Sequence, residues 1–81
     1  MHVYLQQHLG GSEPVRFVRL TLQPDLFGCW ELLRESGSPG RRSQLRVTQY
    51  EQAEDAQRAF ERERDALLTR QFQILPHSLL P

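Results

Sequence analysis

The spacing of apolar residues changes once along this sequence, near residue 52, and this change constrains the fold more than any other feature. Before that point, apolar and polar residues alternate in short runs, which is the pattern of strands with one buried face. From about residue 52 to Arg70, apolar residues instead recur every three or four positions, as in an amphipathic helix. The pattern therefore predicts strands followed by one helix, which must cover a sheet face to bury its apolar stripe.

A chain of 81 residues has room for a single domain. We therefore predict one α+β domain over residues 1–81, in which a small antiparallel sheet of about four strands carries one long helix on one face. The core is expected at about residues 3–72, and an apolar C-terminal tail at residues 73–81. That tail is expected either to fold back onto the second face of the sheet or to contact another chain.

Four runs bounded by glycine, proline or serine predict the strands, at residues 3–7, 15–22, 29–35 and 44–50. In the third run, Trp30 is predicted to point towards the helix and to lie in the core, because a buried indole contributes a large apolar area. The last two strands are predicted to pair as a hairpin. Its loop contains Pro39-Gly40, an order that favours a type II turn because proline presets a negative φ and glycine accepts a positive one.

The predicted helix begins near residue 52 and ends near Arg70. Its stripe is expected to contain Ala53, Ala56, Phe60 and Leu67. Acidic residues crowd the first turn, where negative charge meets the positive end of the helix dipole. No serine, threonine, asparagine or aspartate stands at the start, so we expect no side-chain cap there.

Charge is balanced overall and uneven along the chain. The formal net charge is zero and every basic residue is arginine. Residues 1–50 hold six arginines against four acidic residues, whereas residues 51–81 hold four against six. Guanidinium groups suit phosphate and carboxylate partners because they donate planar pairs of hydrogen bonds. The first part of the chain therefore carries the excess of positive charge. The simpler interpretation of a composition without lysine is codon bias in a GC-rich genome.

Several classes of protein are excluded by what the sequence lacks. A single cysteine, Cys29, cannot form an intrachain disulfide, which suits a reducing compartment. The N-terminus lacks the basic and apolar segments of a signal peptide, and no apolar run approaches the ~18 residues that span a bilayer. These observations predict a cytoplasmic protein with no membrane association.

Chemistry-bearing motifs are also missing. The sequence contains no nucleophile elbow, phosphate-binding loop or dinucleotide fingerprint. His2, His8 and His77 have no partners at metal-ligand spacing, and Cys29 is expected to have only a structural role. We therefore predict no enzymatic activity, no cofactor, no metal site and no small-molecule substrate.

One family resemblance covers most of the chain. A strand leads to an aromatic-glycine turn at Phe27-Gly28, and then to Trp30, an aliphatic pair and Arg34. This order resembles the opening of bacterial WGR domains, and the strand at 44–50 and the helix resemble the rest of that domain. The resemblance implies a non-catalytic binding module of a bacterial protein. The family also occurs in poly(ADP-ribose) polymerases, and its proposed role is nucleic-acid binding.

The motif that names the family is Trp-Gly-Arg, and it is only partly present. The corresponding positions are Ser36, Gly37 and Ser38. Serine offers single hydrogen bonds, whereas tryptophan stacks on bases and arginine binds phosphate in a bidentate manner. The resemblance therefore implies a binding site at these three residues with weak affinity for nucleic acid.

Two functions remain open from the sequence. In the first, DNA or another nucleic acid is bound weakly by the arginines of the hairpin, which are Arg34, Arg41, Arg42 and Arg46. Arg16 and Arg19, on the neighbouring strand, extend the same basic surface. In the second, nucleic-acid binding has been lost, and the domain binds another protein or itself through strand edges or the apolar tail. The second interpretation leaves the arginines as solvated partners of Glu31 and Glu35 across the sheet, which would add little stability.

Overall fold

The computed structural model describes residues 1–75, which form one antiparallel sheet and a helix that packs on it. The elements are β1 (His2–Gln7), β2 (Arg16–Pro24), β3 (Trp30–Gly37), β4 (Gln44–Tyr50), α1 (Ala53–Thr69) and β5 (Phe72–Ile74). The strands lie side by side in the order β4-β3-β2-β1-β5. The predicted class, a small antiparallel sheet with one long helix on one face, is confirmed.

Because side chains along each strand point alternately to opposite sides, the sheet has one face covered by α1 and one open face. On β2, Val18, Leu20 and Leu22 point towards α1, and the residues between them point away. The helix contributes its own stripe of four buried residues, which are Ala56, Ala59, Phe60 and Leu67. Ala53, which was predicted in this stripe, is exposed because it stands at the first helical position. The core therefore lies between α1 and the central strands.

Trp30 is less buried than the sequence predicts. Its side chain packs against the core but is only half-buried, together with Tyr50, which pairs with it across β3 and β4. Trp30 is the first residue of β3 and therefore stands at the end of the sheet rather than under the middle of the helix. The centre of the core is filled instead by fully buried leucines, Leu5, Leu20 and Leu67.

The fifth strand was not predicted as a strand. Residues 72–74 pair with β1 in antiparallel register, with Phe72 opposite Gln7 and Ile74 opposite Leu5. Phe72 is buried in the core and Ile74 is 39% exposed. The start of the apolar tail thus extends the sheet at its edge. The rest of the tail, including His77, Leu79 and Leu80, lies outside the described residues.

Both ends of α1 differ from a standard cap. Gln52 precedes the helix and makes no side-chain capping hydrogen bond, as predicted. Within the first turns, Arg58 pairs with Asp55, three residues earlier. At the other end, Gln71 adopts a φ of 69°, in the left-handed region where glycine is favoured. Within residues 1–75, no helix combines the length and the apolar composition needed to cross a bilayer.

The open face of the sheet has no helix among the described residues. Near one edge, the rings of Tyr4 and Phe17 stack at 5.6 Å between centroids, and the guanidinium of Arg19 lies over the Tyr4 ring. Near the other edge, Leu45 and Val47 project from β4 and are 62% and 50% exposed. The two halves of this face are therefore different: one is closed by its own aromatic contacts, and the other is apolar and open.

Candidate functional site

The loop between β3 and β4 has a defined shape. The N–H of Arg41 donates to the carbonyl of Ser38 at 3.0 Å, and Gly40 has a φ of 79°. These two features match the type II turn predicted at Pro39-Gly40. At the base of the loop, a Cβ on Gly37 would lie only 3.2 Å from the carbonyl oxygen of Arg42. Glycine at this position therefore lets the two sides of the loop approach each other closely.

A cleft of about 390 Å³ opens at this end of the sheet, on the side that carries α1. Five arginines line it: Arg16, Arg34, Arg41, Arg42 and Arg70. Among residues 1–75, no acidic side chain lines it. We call this feature, defined by those five residues, the arginine cleft.

Chain topology brings these five arginines together. Arg16 is the first residue of β2, and Arg70 follows the last residue of α1. Arg41 and Arg42 lie in the loop that joins β3 to β4. Because the strands are antiparallel and the helix runs back along them, all these positions fall at one end of the domain. The sequence indicated Arg16 as a neighbour of the hairpin arginines but gave no indication of Arg70, for which the only available signal was its position at the end of the helix.

Strand alternation explains why the cleft lacks carboxylates. Arg34 points towards the helix, so its neighbour Glu35 points to the open face. There Glu35 accepts hydrogen bonds from Arg19 and from the hydroxyl of Ser43, each at 2.8 Å. This is the cross-sheet pairing expected for Glu35. Glu31 accepts instead from the amide of Gln23 at 2.7 Å.

Two of the predicted arginines join the sheet to the helix. Arg34 and Arg46 both donate to the same oxygen of Glu63 on α1, at 2.8 and 2.9 Å. Arg34 and Glu63 are largely buried, whereas the side chain of Arg46 is 65% exposed. One carboxylate thus compensates part of the charge of two guanidinium groups. Arg34 and Arg46 therefore fix the position of the helix at the side of the cleft.

The other arginines of the cleft are not neutralised in this way. Within the described part of the chain, Arg16, Arg41, Arg42 and Arg70 make no ion pair. Four guanidinium groups without carboxylate partners create a concentrated positive field, which attracts anions. The apolar residues that line the cleft, including Leu67 and Phe72, are buried and offer little open surface. The chemistry available here is therefore that of guanidinium groups, which bind phosphate or carboxylate groups and stack on aromatic rings.

The structure brings most of the predicted site residues into this one place. Six of the seven line the arginine cleft: Arg34, Ser36, Gly37, Ser38, Arg41 and Arg42. The seventh, Arg46, lies in an adjoining depression that shares Arg34 and Ser36 with the cleft. Residues 1–75 contain no cluster of three or more histidine, cysteine or acidic side chains that could hold a metal ion.

The opposite end of the domain has a different character. Leu26 and Phe27, at the tip of the turn between β2 and β3, are 95% and 85% exposed. One carboxylate oxygen of Asp25 accepts the N–H groups of Phe27 and Cys29 at 2.8 and 2.9 Å. Its other oxygen accepts the amide of Gln49 at 3.0 Å. These bonds fix the turn, so the two apolar side chains, which we call the Leu-Phe knob, are held out into solvent.

No protein-family model, no curated protein and no solved structure matches this chain.

Proposed function

We propose that this protein is a non-catalytic, WGR-like binding module that binds nucleic acid weakly through the arginine cleft. The proposal includes a bacterial setting, which the family resemblance implies, and a cytoplasmic one, which the single cysteine suits. The observation that carries it is the convergence of five arginines from separate parts of the chain on one cleft that no described acidic residue lines. A merely solvated set of arginines would be interspersed with carboxylates, as on the exposed side of α1.

The four cleft arginines without ion pairs set the expected strength of binding. If Arg16, Arg41, Arg42 and Arg70 each contact one phosphate, log Kd should change with log salt with a slope of about 3 to 4 for duplex DNA. Proteins with a well-established nucleic-acid function often make more phosphate contacts than this. Affinity in the range of non-specific binding, with Kd about 10⁻⁴ to 10⁻⁶ M, is therefore expected.

Binding through the cleft should depend little on base sequence. Bases are read by hydrogen bonds to their edges or by stacking on exposed aromatic rings. Phe17 and Phe72 line the cleft but are buried, with 8% and 6% of their surface exposed. Ser36 and Ser38 add hydroxyl groups that can donate to phosphate oxygens. The module is thus suited to the backbone or to a terminal phosphate.

The test is a titration of labelled duplexes with recessed, blunt and nicked ends, and of single strands, at low and high salt. The Arg41→Ala/Arg42→Ala variant should weaken binding at least tenfold at low salt and lower the salt slope by about two. Arg58→Ala/Arg62→Ala is the matched control, because it removes the same charge from the exposed side of α1. The control should bind nearly as well as the unchanged protein.

Two results would contradict the proposal. One is no binding of any of these nucleic acids at the highest protein concentrations that remain soluble. The other is an equal loss in both double variants, since that would indicate attraction by overall charge rather than by the cleft.

A protein-interaction function is the second candidate, and β4 is the observation that favours it. This strand is at the edge of the sheet, and its seven residues have no strand beyond them among residues 1–75. Leu45 and Val47 are exposed on the open face of the same strand. An unprotected edge of this kind can pair with a strand of another chain. Light scattering of Val47→Lys beside the unchanged protein would test it, because a charge on the edge should abolish pairing.

A further inference from the structure

We propose that copies of this chain associate head to tail, with the Leu-Phe knob of one copy inserted in the arginine cleft of the next. This inference is independent of nucleic-acid binding and concerns a contact between two different surfaces of the same molecule. Two features of the molecule support it: the knob is exposed on an ordered turn, and the two ends of the domain have complementary shape and charge.

The exposure of the knob needs an explanation. Leu26 and Phe27 are adjacent, large and apolar, and almost completely exposed. Turns at the surface usually contain small or polar residues, so apolar side chains at a tip indicate a contact surface. The backbone of the turn that carries the knob is held by the hydrogen bonds of Asp25, including the one from Gln49 on β4. A rigid projecting group loses less conformational entropy on binding than a flexible one.

The charge around the knob is negative. Asp25 and Glu31 lie in the surface depression beside Leu26 and Phe27, and no arginine among the described residues lines that depression. Glu51 follows Tyr50, whose partner across the sheet is Trp30 at the same end. A partner for the knob should therefore be concave and positively charged.

The arginine cleft has those properties. It is concave, it contains five arginines and no described acidic residue, and its volume is about 390 Å³. An enclosed cavity of about 150 Å³ is enough for a benzene ring, so the cleft can admit the ring of Phe27 together with the end of Leu26. Guanidinium groups stack on aromatic rings, and they also pair with carboxylates. Arg41 and Arg42 can therefore contact Phe27 while neighbouring arginines face Asp25 and Glu31.

The position of the two surfaces determines what assembles. The turn that carries the knob and the loop that borders the cleft are at opposite ends of β3. A copy that is bound through its arginine cleft therefore still has its Leu-Phe knob available for another copy, and the reverse also holds. Contacts between two different surfaces of this kind are heterologous, and they generate chains or closed rings rather than symmetric dimers.

The experiment is sedimentation of three proteins, alone and mixed. The unchanged protein should show an average mass that grows with concentration past that of a dimer at low salt and falls at high salt. The knob variant, Leu26→Ser/Phe27→Ser, and the cleft variant, Arg41→Ala/Arg42→Ala, should each remain monomeric. Their equimolar mixture should form a complex of two chains and nothing larger, because each brings one intact surface. Circular dichroism should confirm that both variants are folded.

A matched control separates this contact from pairing of β4 edges. Leu45→Ser/Val47→Ser also removes two exposed apolar side chains, and it should associate as the unchanged protein does. The proposal is overturned if the unchanged protein is a monomer at every concentration, if the knob variant associates normally, or if the mixture of variants stays monomeric. Nucleic-acid binding is measured separately on the knob variant, whose cleft is intact, so failure of one proposal does not imply failure of the other.

Discussion

The two ends of this domain are built by the same strands and have opposite properties. At one end, β3 and β4 are joined by a loop that borders a concave, basic cleft. At the other, β2 and β3 are joined by a turn that presents a convex, apolar tip with acidic neighbours. β2 alone spans nine residues, or about 30 Å at about 3.3 Å per residue, so the two ends are well separated.

This difference shows that a formal net charge of zero says little about a surface. Arginines that are scattered along the sequence meet at one end because each lies near the same end of its own strand, loop or helix. The turn that carries the knob is held by hydrogen bonds to one carboxylate, that of Asp25. The cleft end is held by the close approach of the two sides of the loop at Gly37, and by Glu63, which binds both Arg34 and Arg46. Each end can therefore be altered without rebuilding the other.

The largest change in unfolding free energy is expected at the turn that carries the Leu-Phe knob. Asp25→Ala removes the acceptor of two backbone N–H groups and of the Gln49 amide. Hydrogen bonds to charged groups contribute about 1.5–3 kcal/mol, and partial exposure reduces this, so we expect a loss of about 2 kcal/mol of unfolding free energy. Urea denaturation measures it. Asp25→Asn keeps an acceptor oxygen and should lose about half as much; equal losses in both would contradict the role of the side-chain oxygen.

A smaller change in unfolding free energy is expected at the arginine cleft. Glu63→Gln removes the carboxylate shared by Arg34 and Arg46, and should cost about 1 kcal/mol because the group is only partly buried. It should also increase nucleic-acid affinity a few-fold, because two guanidinium groups lose their compensating charge. Glu61→Gln makes the same change of charge on α1, but among residues 1–75 Glu61 accepts a hydrogen bond from Gln57 and pairs with no arginine, so it should have little effect on either measurement. If Glu63→Gln instead binds nucleic acid more weakly, the ion pairs serve to position the cleft arginines and not to compensate their charge.

The smallest change in unfolding free energy is expected just after α1, from a substitution that alters neither the Leu-Phe knob nor the arginine cleft. Gln71 has a positive φ, which costs a residue with a side chain about 1–2 kcal/mol, whereas glycine adopts it readily. Because glycine also loses more backbone entropy on folding, Gln71→Gly should stabilise the fold by a net of about 0.5 kcal/mol. Thermal unfolding measures the gain, and nucleic-acid affinity should not change. Gln73→Gly, two residues later in β5, should destabilise the fold instead, which controls for a general effect of glycine here.

Most of the architecture could be predicted from the sequence because it follows from local periodicity. The alternation of Val18, Leu20 and Leu22 indicated the covered face of β2, and the three-to-four spacing indicated α1 to within two residues at each end. β5 could not be predicted in this way, because three residues are too few for a pattern. β5 forms because the edge of β1 is available to pair with it, and this depends on the tertiary structure.

The candidate site was predictable only in part, for a related reason. The hairpin arginines are close in sequence, so their proximity follows from one turn. Arg16 and Arg70 reach the cleft only through the order of strands and the direction of α1. The contact of Glu63 with Arg34 and Arg46 depends on the rotation of the helix above the sheet, which periodicity alone does not determine.

The pairing of β5 with β1 has a consequence for biosynthesis. Leu5 leaves the ribosome long before Ile74, its partner across the sheet, because most of the domain lies between them in the chain. During translation the outer edge of β1 must therefore wait, with its backbone groups unpaired, until almost the whole domain has emerged. A nascent chain stalled before residue 72 would present that edge to any neighbouring polypeptide, so the pairing of β5 also ends this exposure.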